Sequence, residues 1–188
     1  MINPQRGGEP LTLGGGPFGD LSFEWSQDRY AHRWHFEGAE EPLLASVESD
    51  STTLWPTSPP LQQIHQQSFA DGRQVIFGVG MAGRGHWSAS FTLVPDLKCW
   101  IVELACRSPI APEALLSTYR LGGAWSQQAE GSYSTEVLAP GGSSSKLQIE
   151  AITPGSTADL HEEDLRIRPL RVEKTVTTQW AFRLRVTA

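Results

Sequence analysis

The chain has 188 residues, a formal net charge of −6, 39% apolar residues, seven Trp and two Cys. Two cysteines exclude a disulfide framework, and the apolar and Trp content excludes a disordered chain. No run approaches the roughly 18 apolar residues of a membrane helix, so a soluble globular protein of one domain is expected.

The N-terminus, Met1-Ile2-Asn3-Pro4-Gln5-Arg6, lacks the basic start and apolar core of a secretory signal. That points to a cytoplasmic protein. Residues 1–20 hold six Gly and three Pro, a composition that packs poorly, and read as a flexible arm ahead of a single domain over 21–188.

From Leu21 the dominant period is two. Leu21, Phe23 and Trp25 alternate with polar residues, and Tyr30, His32, Trp34 and Phe36 share one face of a second strand. Leu43 to Val47 is a weaker strand, and the Ser, Thr and Pro of 49–60 predict an exposed loop or edge. Leu61 to Phe69 suits helix or strand spacing. Asp71-Gly72 decides for a hairpin, with Val75 to Val79 as the partner strand.

Trp87, Ala89, Phe91 and Leu93 alternate in the next strand, and Pro95-Asp96 turns the chain. Cys99 to Cys106 is nearly continuous in apolar residues and reads as a central strand buried on both faces. Its two thiols, about 23 Å apart along a strand, are free. Pro112 to Arg120 is the one helix candidate, although Tyr119 to Leu121 also suits a strand. Further strands are expected at 132–138, 146–152, 165–172 and 177–187, with a turn at Pro140 to Ser145. About ten short strands and at most one or two short helices define a mainly β fold, an antiparallel sandwich or barrel.

Gly78-Val79-Gly80-Met81-Ala82-Gly83 matches G-x-G-x-x-G after a strand, with Glu103 twenty residues on. A dinucleotide site needs a helix after the glycines. Gly85 and the period-two run from Trp87 oppose one, so a glycine-rich connection between strands is the expectation. Within it Arg84 offers a fork for anions, His86 a proton carrier and Trp87 an apolar wall. Glu103, a carboxylate in an apolar strand, completes the candidate ligand-binding set of Arg84, His86, Trp87 and Glu103.

His32, His35, His65, His86 and His161 show no metal-ligand spacing, so neither a metal nor a cofactor is expected. Asp159, Glu162, Glu163 and Asp164 around His161 read as a solvated charged loop rather than a calcium site. Residues 165–188 carry a local net of +5 and the rest −11. Arg166/Arg168 and Arg183/Arg185 lie in pairs on one strand face, for which acidic partners such as Glu150 are expected. Overall acidity argues against nucleic acid.

The sequence does not by itself specify a function. The leading expectation is an intracellular, non-catalytic binding or interaction module for a small molecule or protein, touching it through 78–87, with an edge strand as a route to oligomers. Two alternatives are a β-barrel carrier of an apolar ligand, its hollow lined by Trp25, Trp34, Trp87 and Trp180, and an enzyme using Arg84, His86 and Glu103.

Overall fold

The computed structural model describes residues 8–138, 144–152, 154–173 and 176–187. Two antiparallel sheets face each other as a β-sandwich. The strands are β1 Leu11–Leu13, β2 Asp20–Ser26, β3 Arg29–His35, β4 Leu44–Ser46, β5 Gln63–Ser68, β6 Gln74–Ala82, β7 Gly85–Val94 and β8 Cys99–Arg107. They continue with β9 Ser117–Leu121, β10 Ser126–Ala129, β11 Ser132–Leu138, β12 Ser144–Ala151, β13 Ser156–His161, β14 Asp164–Pro169 and β15 Thr177–Thr187. One sheet has the order β1-β2-β3-β4-β9-β14-β13, the other β10-β11-β12-β15-β8-β7-β6-β5.

The alternation seen in the sequence becomes the core. Leu21 and Phe23 of β2, and Tyr30, His32 and Trp34 of β3, are buried from one sheet. Trp87, Ala89, Phe91 and Leu93 of β7, and Phe182 and Leu184 of β15, meet them from the other. Rings dominate the contact. Phe23 meets Phe91 edge-on at 5.1 Å between centroids, and Trp34 touches Phe91, Trp100, Tyr119 and Phe182 at 5.7–6.4 Å. Such edge-to-face pairs add stabilisation beyond the apolar area they bury.

Several expectations change. The flexible arm over 1–20 does not extend to its end: Leu11–Leu13 pairs with Leu21–Phe23, Leu13 is buried, and the Trp100 indole N–H donates to the Phe18 carbonyl at 2.9 Å. Residues 1–7 of that arm lie outside the described residues, as does most of the expected turn at 140–145. The helix at 112–120 is absent. Ser117–Leu121 instead pairs with β4 and β14, because Ser117 and Tyr119 are claimed by the core at strand spacing. β8 is not buried along both faces: on the outward side Cys99 is buried, but Ile101 and Ala105 are half-buried and Glu103 and Arg107 exposed. The loop 49–60 is exposed at its start, but Pro56 and Ser58 to Pro60 are buried, and Ser58 Oγ donates to the Thr118 carbonyl of β9 at 3.1 Å. Strands β1, β10 and β13 were not expected, whereas β9 takes up the strand alternative at Tyr119 to Leu121 and begins two residues earlier.

Candidate functional site

The segment 78–87 is a hairpin rather than a loop. β6 and β7 pair from Gln74↔Leu93 to Ala82↔Gly85, leaving only Gly83-Arg84 as the turn. Residues 85–94 are strand, so no helix follows the glycines and no pyrophosphate site exists there. The glycines answer a different demand. The chain at 54–61 lies against the inner face of β6, and a Cβ on Gly80 would sit 1.6 Å from the Pro60 carbonyl oxygen. A Cβ on Gly78 would meet Leu61 at 2.9 Å, and Gly83 has a positive φ of +54° in the turn. The resemblance to a nucleotide motif is a by-product of close backbone approach.

The candidate residues separate across this hairpin. Arg84 is exposed at its tip and His86 on the outer face. Trp87 is buried, with its ring 6.0 Å from that of Trp180. It is a core residue, because the odd-numbered positions of β7 face inward. Glu103 is exposed and not buried in an apolar strand. It accepts a hydrogen bond from Ser90 Oγ at 3.2 Å. His86 is opposite Arg107, whereas Glu103 is opposite Ser90, four residues further along the ladder. At about 3.3 Å per residue the two rungs are about 13 Å apart. The structure therefore places His86 and Glu103 on one face without bringing them together.

That face has its own order. Three rungs run across the eight-stranded sheet: Phe77-Ser90-Glu103-Ala181, Val79-Ser88-Ala105-Gln179 and Met81-His86-Arg107-Thr177. Phe77, Val79 and Met81 project from one strand and are 40%, 48% and 49% exposed. Beside them small side chains, Ser88, Ser90, Ala105 and Ala181, floor an open groove of about 530 Å³. Phe77 bounds it on one side, Ile152 and Pro154 to Ser156 on the other, and Glu103 and Gln179 supply polar groups. A second concavity, bounded by His86, Arg107, Ser108 and Pro109, lies at the neighbouring end of the face. In the sequence, Val75 to Val79 had marked only a strand. The exposure of its alternate residues emerges once β6 is seen beside the outward Ser and Ala positions of β7 and β8.

A polar cluster missed by sequence reasoning lies within the sandwich. His32 Nε2 is 2.9 Å from Tyr119 Oη, Ser46 Oγ accepts from the His32 amide at 2.9 Å, and it donates to Glu48 Oε1 at 2.6 Å. Arg29, almost fully buried, holds Asp28 through Nε at 2.8 Å and Nη2 at 3.2 Å. Burial lowers the His32 pKa to about 3. Burial raises that of Glu48 to about 7, opposed by the Ser46 hydrogen bond and the Arg29 charge. The Tyr119 hydroxyl lies well above its usual range, through burial first and the Glu48 charge second. Arg29 Nη1, His32 Nδ1 and Glu48 Oε2 have no hydrogen-bond partner among the described residues. Arg29, His32 and Tyr119 are buried and Asp28, Ser46 and Glu48 half-buried, so this cluster bears first on stability. The placement of His32 among Tyr30, Trp34 and Phe36 was its one trace in the sequence.

The hollow that the carrier alternative requires is filled at its named positions. Trp34, Trp87 and Trp180 are packed core residues, and Trp25 lies edge-on to Tyr30 at 5.0 Å. Among the described residues no group of three His, Cys, Asp or Glu is arranged to hold a metal. Asp159 and Asp164 of the acidic segment belong to the β13–β14 hairpin and pair with Arg168 and Arg120. Arg183 pairs with Glu150, as expected for the basic strand face, and Arg185 donates to Gln148. No helix among the described residues is long and apolar enough to cross a membrane. Both cysteines are buried free thiols, and burial pushes that of Cys106 up to about 11.

No family model matches the chain, and no curated protein matches it. Among solved structures, a putative kojibiose phosphorylase from human microbiome gives a TM-score of 0.41 at 9% sequence identity, over 93% of this chain and 29% of that chain. The chain thus spans less than a third of that protein's length.

Proposed function

We propose that the chain is an intracellular, non-catalytic binding module whose contact face is the outer surface of β6, β7 and β8, and whose partner is a protein segment bearing apolar side chains. The reading rests on Phe77, Val79 and Met81, a contiguous apolar row exposed beside an open groove. Apolar surface grouped in this way is a common mark of an interaction site, whereas single exposed apolar residues are ordinary. The face is laid out as such sites are. Its apolar row includes an adaptable Met, and polar groups border it at Glu103, His86 and Gln179. The filled core favours this reading over an internal carrier, and the separation of His86 from Glu103 favours it over paired acid–base catalysis. Arg84, at the hairpin tip, would meet the partner only at its margin.

Selection of displayed peptides on the immobilised protein, run in parallel on Val79→Lys, tests the reading. Peptides with apolar anchors should bind the wild type and lose at least about tenfold on the variant, as a charge placed in the centre of an apolar contact requires. A selection yielding no binders, or binders that hold both proteins equally, overturns it.

A further inference from the structure

Among the described residues the two sheets have four edges, and three carry features that disfavour further pairing. β1 is only three residues long. β10 has four residues, and its register shifts between Gln127 and Ala129. β13 carries Asp159, paired with Arg168, and its outward Leu160 amide already donates to Tyr133 Oη at 3.2 Å. Short length, irregular register, charge and covering groups are the usual protections against edge-to-edge association.

The fourth edge, β5, has none of them. Gln63-Ile64-His65-Gln66-Gln67-Ser68 runs in unbroken register with β6, from Gln63↔Val79 to Ser68↔Gln74. It contains no Lys, Arg, Asp, Glu, Pro or Gly. Among the described residues no strand pairs with its other side. The nearby Asp71 and Arg73 neutralise each other at 2.8 Å in the hairpin turn. Phe69 donates its amide to the Arg73 carbonyl at 2.9 Å, which fixes the alternation of the ladder. Gln63, His65 and Gln67 therefore bond to β6, and Ile64, Gln66 and Ser68 turn their N–H and C=O groups outward.

We propose that β5 pairs with β5 of a second copy of this chain, antiparallel about a two-fold axis through Gln66. The outward residues are symmetric about Gln66, so Gln66 faces the partner's Gln66 and Ile64 faces the partner's Ser68. All three outward residues then bond across the axis. On the outer surface His65 lies opposite the partner's Gln67, with no like charges opposed, which is what suits this strand to itself rather than to a charged strand. The eight-stranded sheets join into one. The two β6 apolar rows then lie about 14 Å apart, three strand spacings, on one continuous face. The pairing does not depend on the contact-face reading, since none of its residues belongs to that apolar row.

Sedimentation equilibrium on the whole chain, from micromolar to about 1 mM, tests it. The wild type should dimerise reversibly. Gln66→Pro removes an outward N–H without touching the β6 ladder, and Gln67→Lys sets a charge beside the axis. Each should raise the dimer dissociation constant at least about tenfold with an unchanged circular dichroism spectrum. Gln127→Lys on β10 should change nothing. A wild type that stays monomeric at the highest concentration overturns the proposal. So does a dimer that survives Gln67→Lys, and this exposed substitution decides the matter even if Gln66→Pro disturbs the fold.

Discussion

At the scale of single residues, Glu48 and His32 give stability two opposed pH dependences. Glu48 has a pKa of about 7 in the folded protein against an ordinary 4.5, so the folded state holds that proton more tightly. Its contribution is fully present below pH 4.5 and lost as pH rises through 7. His32 is lowered to about 3 against an ordinary 6.5, so the unfolded chain holds its proton more tightly. The stability of neutral His32 is present above pH 6.5 and lost as pH falls toward 3. Each proton contributes a slope of about 1.4 kcal/mol per pH unit, so the two nearly cancel between pH 5 and 8 in the wild type. Glu48→Gln should remove the alkaline loss and leave a gain of about 2 kcal/mol from pH 5 to 8, read from urea midpoints. Identical profiles for the two proteins would refute the assignment. Gly80 offers a steric test. Gly80→Ala drives a Cβ into the Pro60 carbonyl, a backbone atom that cannot move aside cheaply, and should destabilise by at least about 2 kcal/mol in the same assay.

At the scale of elements, position within the sheet decides local stability. β8 and β15 are paired on both sides and carry core residues along their length, while among the described residues β5 and β10 are each paired on one side only. Hydrogen exchange should therefore be slowest in β8 and β15. In dilute protein the outward amides of Ile64, Gln66 and Ser68 should exchange fast. On concentration they should gain protection if β5 pairs with its copy, whereas the outward amides of β10 should not. The alternation of β2, β3, β7 and β15 was legible because each has one buried and one solvated face, the condition under which period two is written into a sequence. β10 was not, since all four of its residues are exposed. Pro112 to Arg120 misled because Leu115, Leu116 and Tyr119 fit a helical face, while the β4 and β14 edges to either side of Ser117–Leu121 were available only in the assembled sheet.

At the scale of the whole molecule, pairings between distant parts of the chain dominate. β15 bonds to β8 from Thr177↔Arg107 to Arg185↔Cys99, and β4 bonds to β9 across the whole β5–β8 segment. Loops this long must close before such pairs are rewarded, so refolding should take milliseconds to seconds by stopped-flow Trp fluorescence; completion within about 100 μs would contradict this view of the topology. By itself the sequence determined the class of fold, the strands with one buried face, the free thiols and the acidic partner awaiting Arg183. All of these follow from local periodicity and composition. Tertiary structure alone decided that Trp87 belongs to the core, that Glu103 stands on the surface apart from His86, and that the glycines of 78–83 make room for the chain at 54–61. It also decided that, among the described residues, β5 is the edge strand lacking charge, irregular register and short length. Each of these depends on what lies across from a residue in another strand or sheet. Spacing along the chain tells which face a side chain takes, and strand order tells what that face meets.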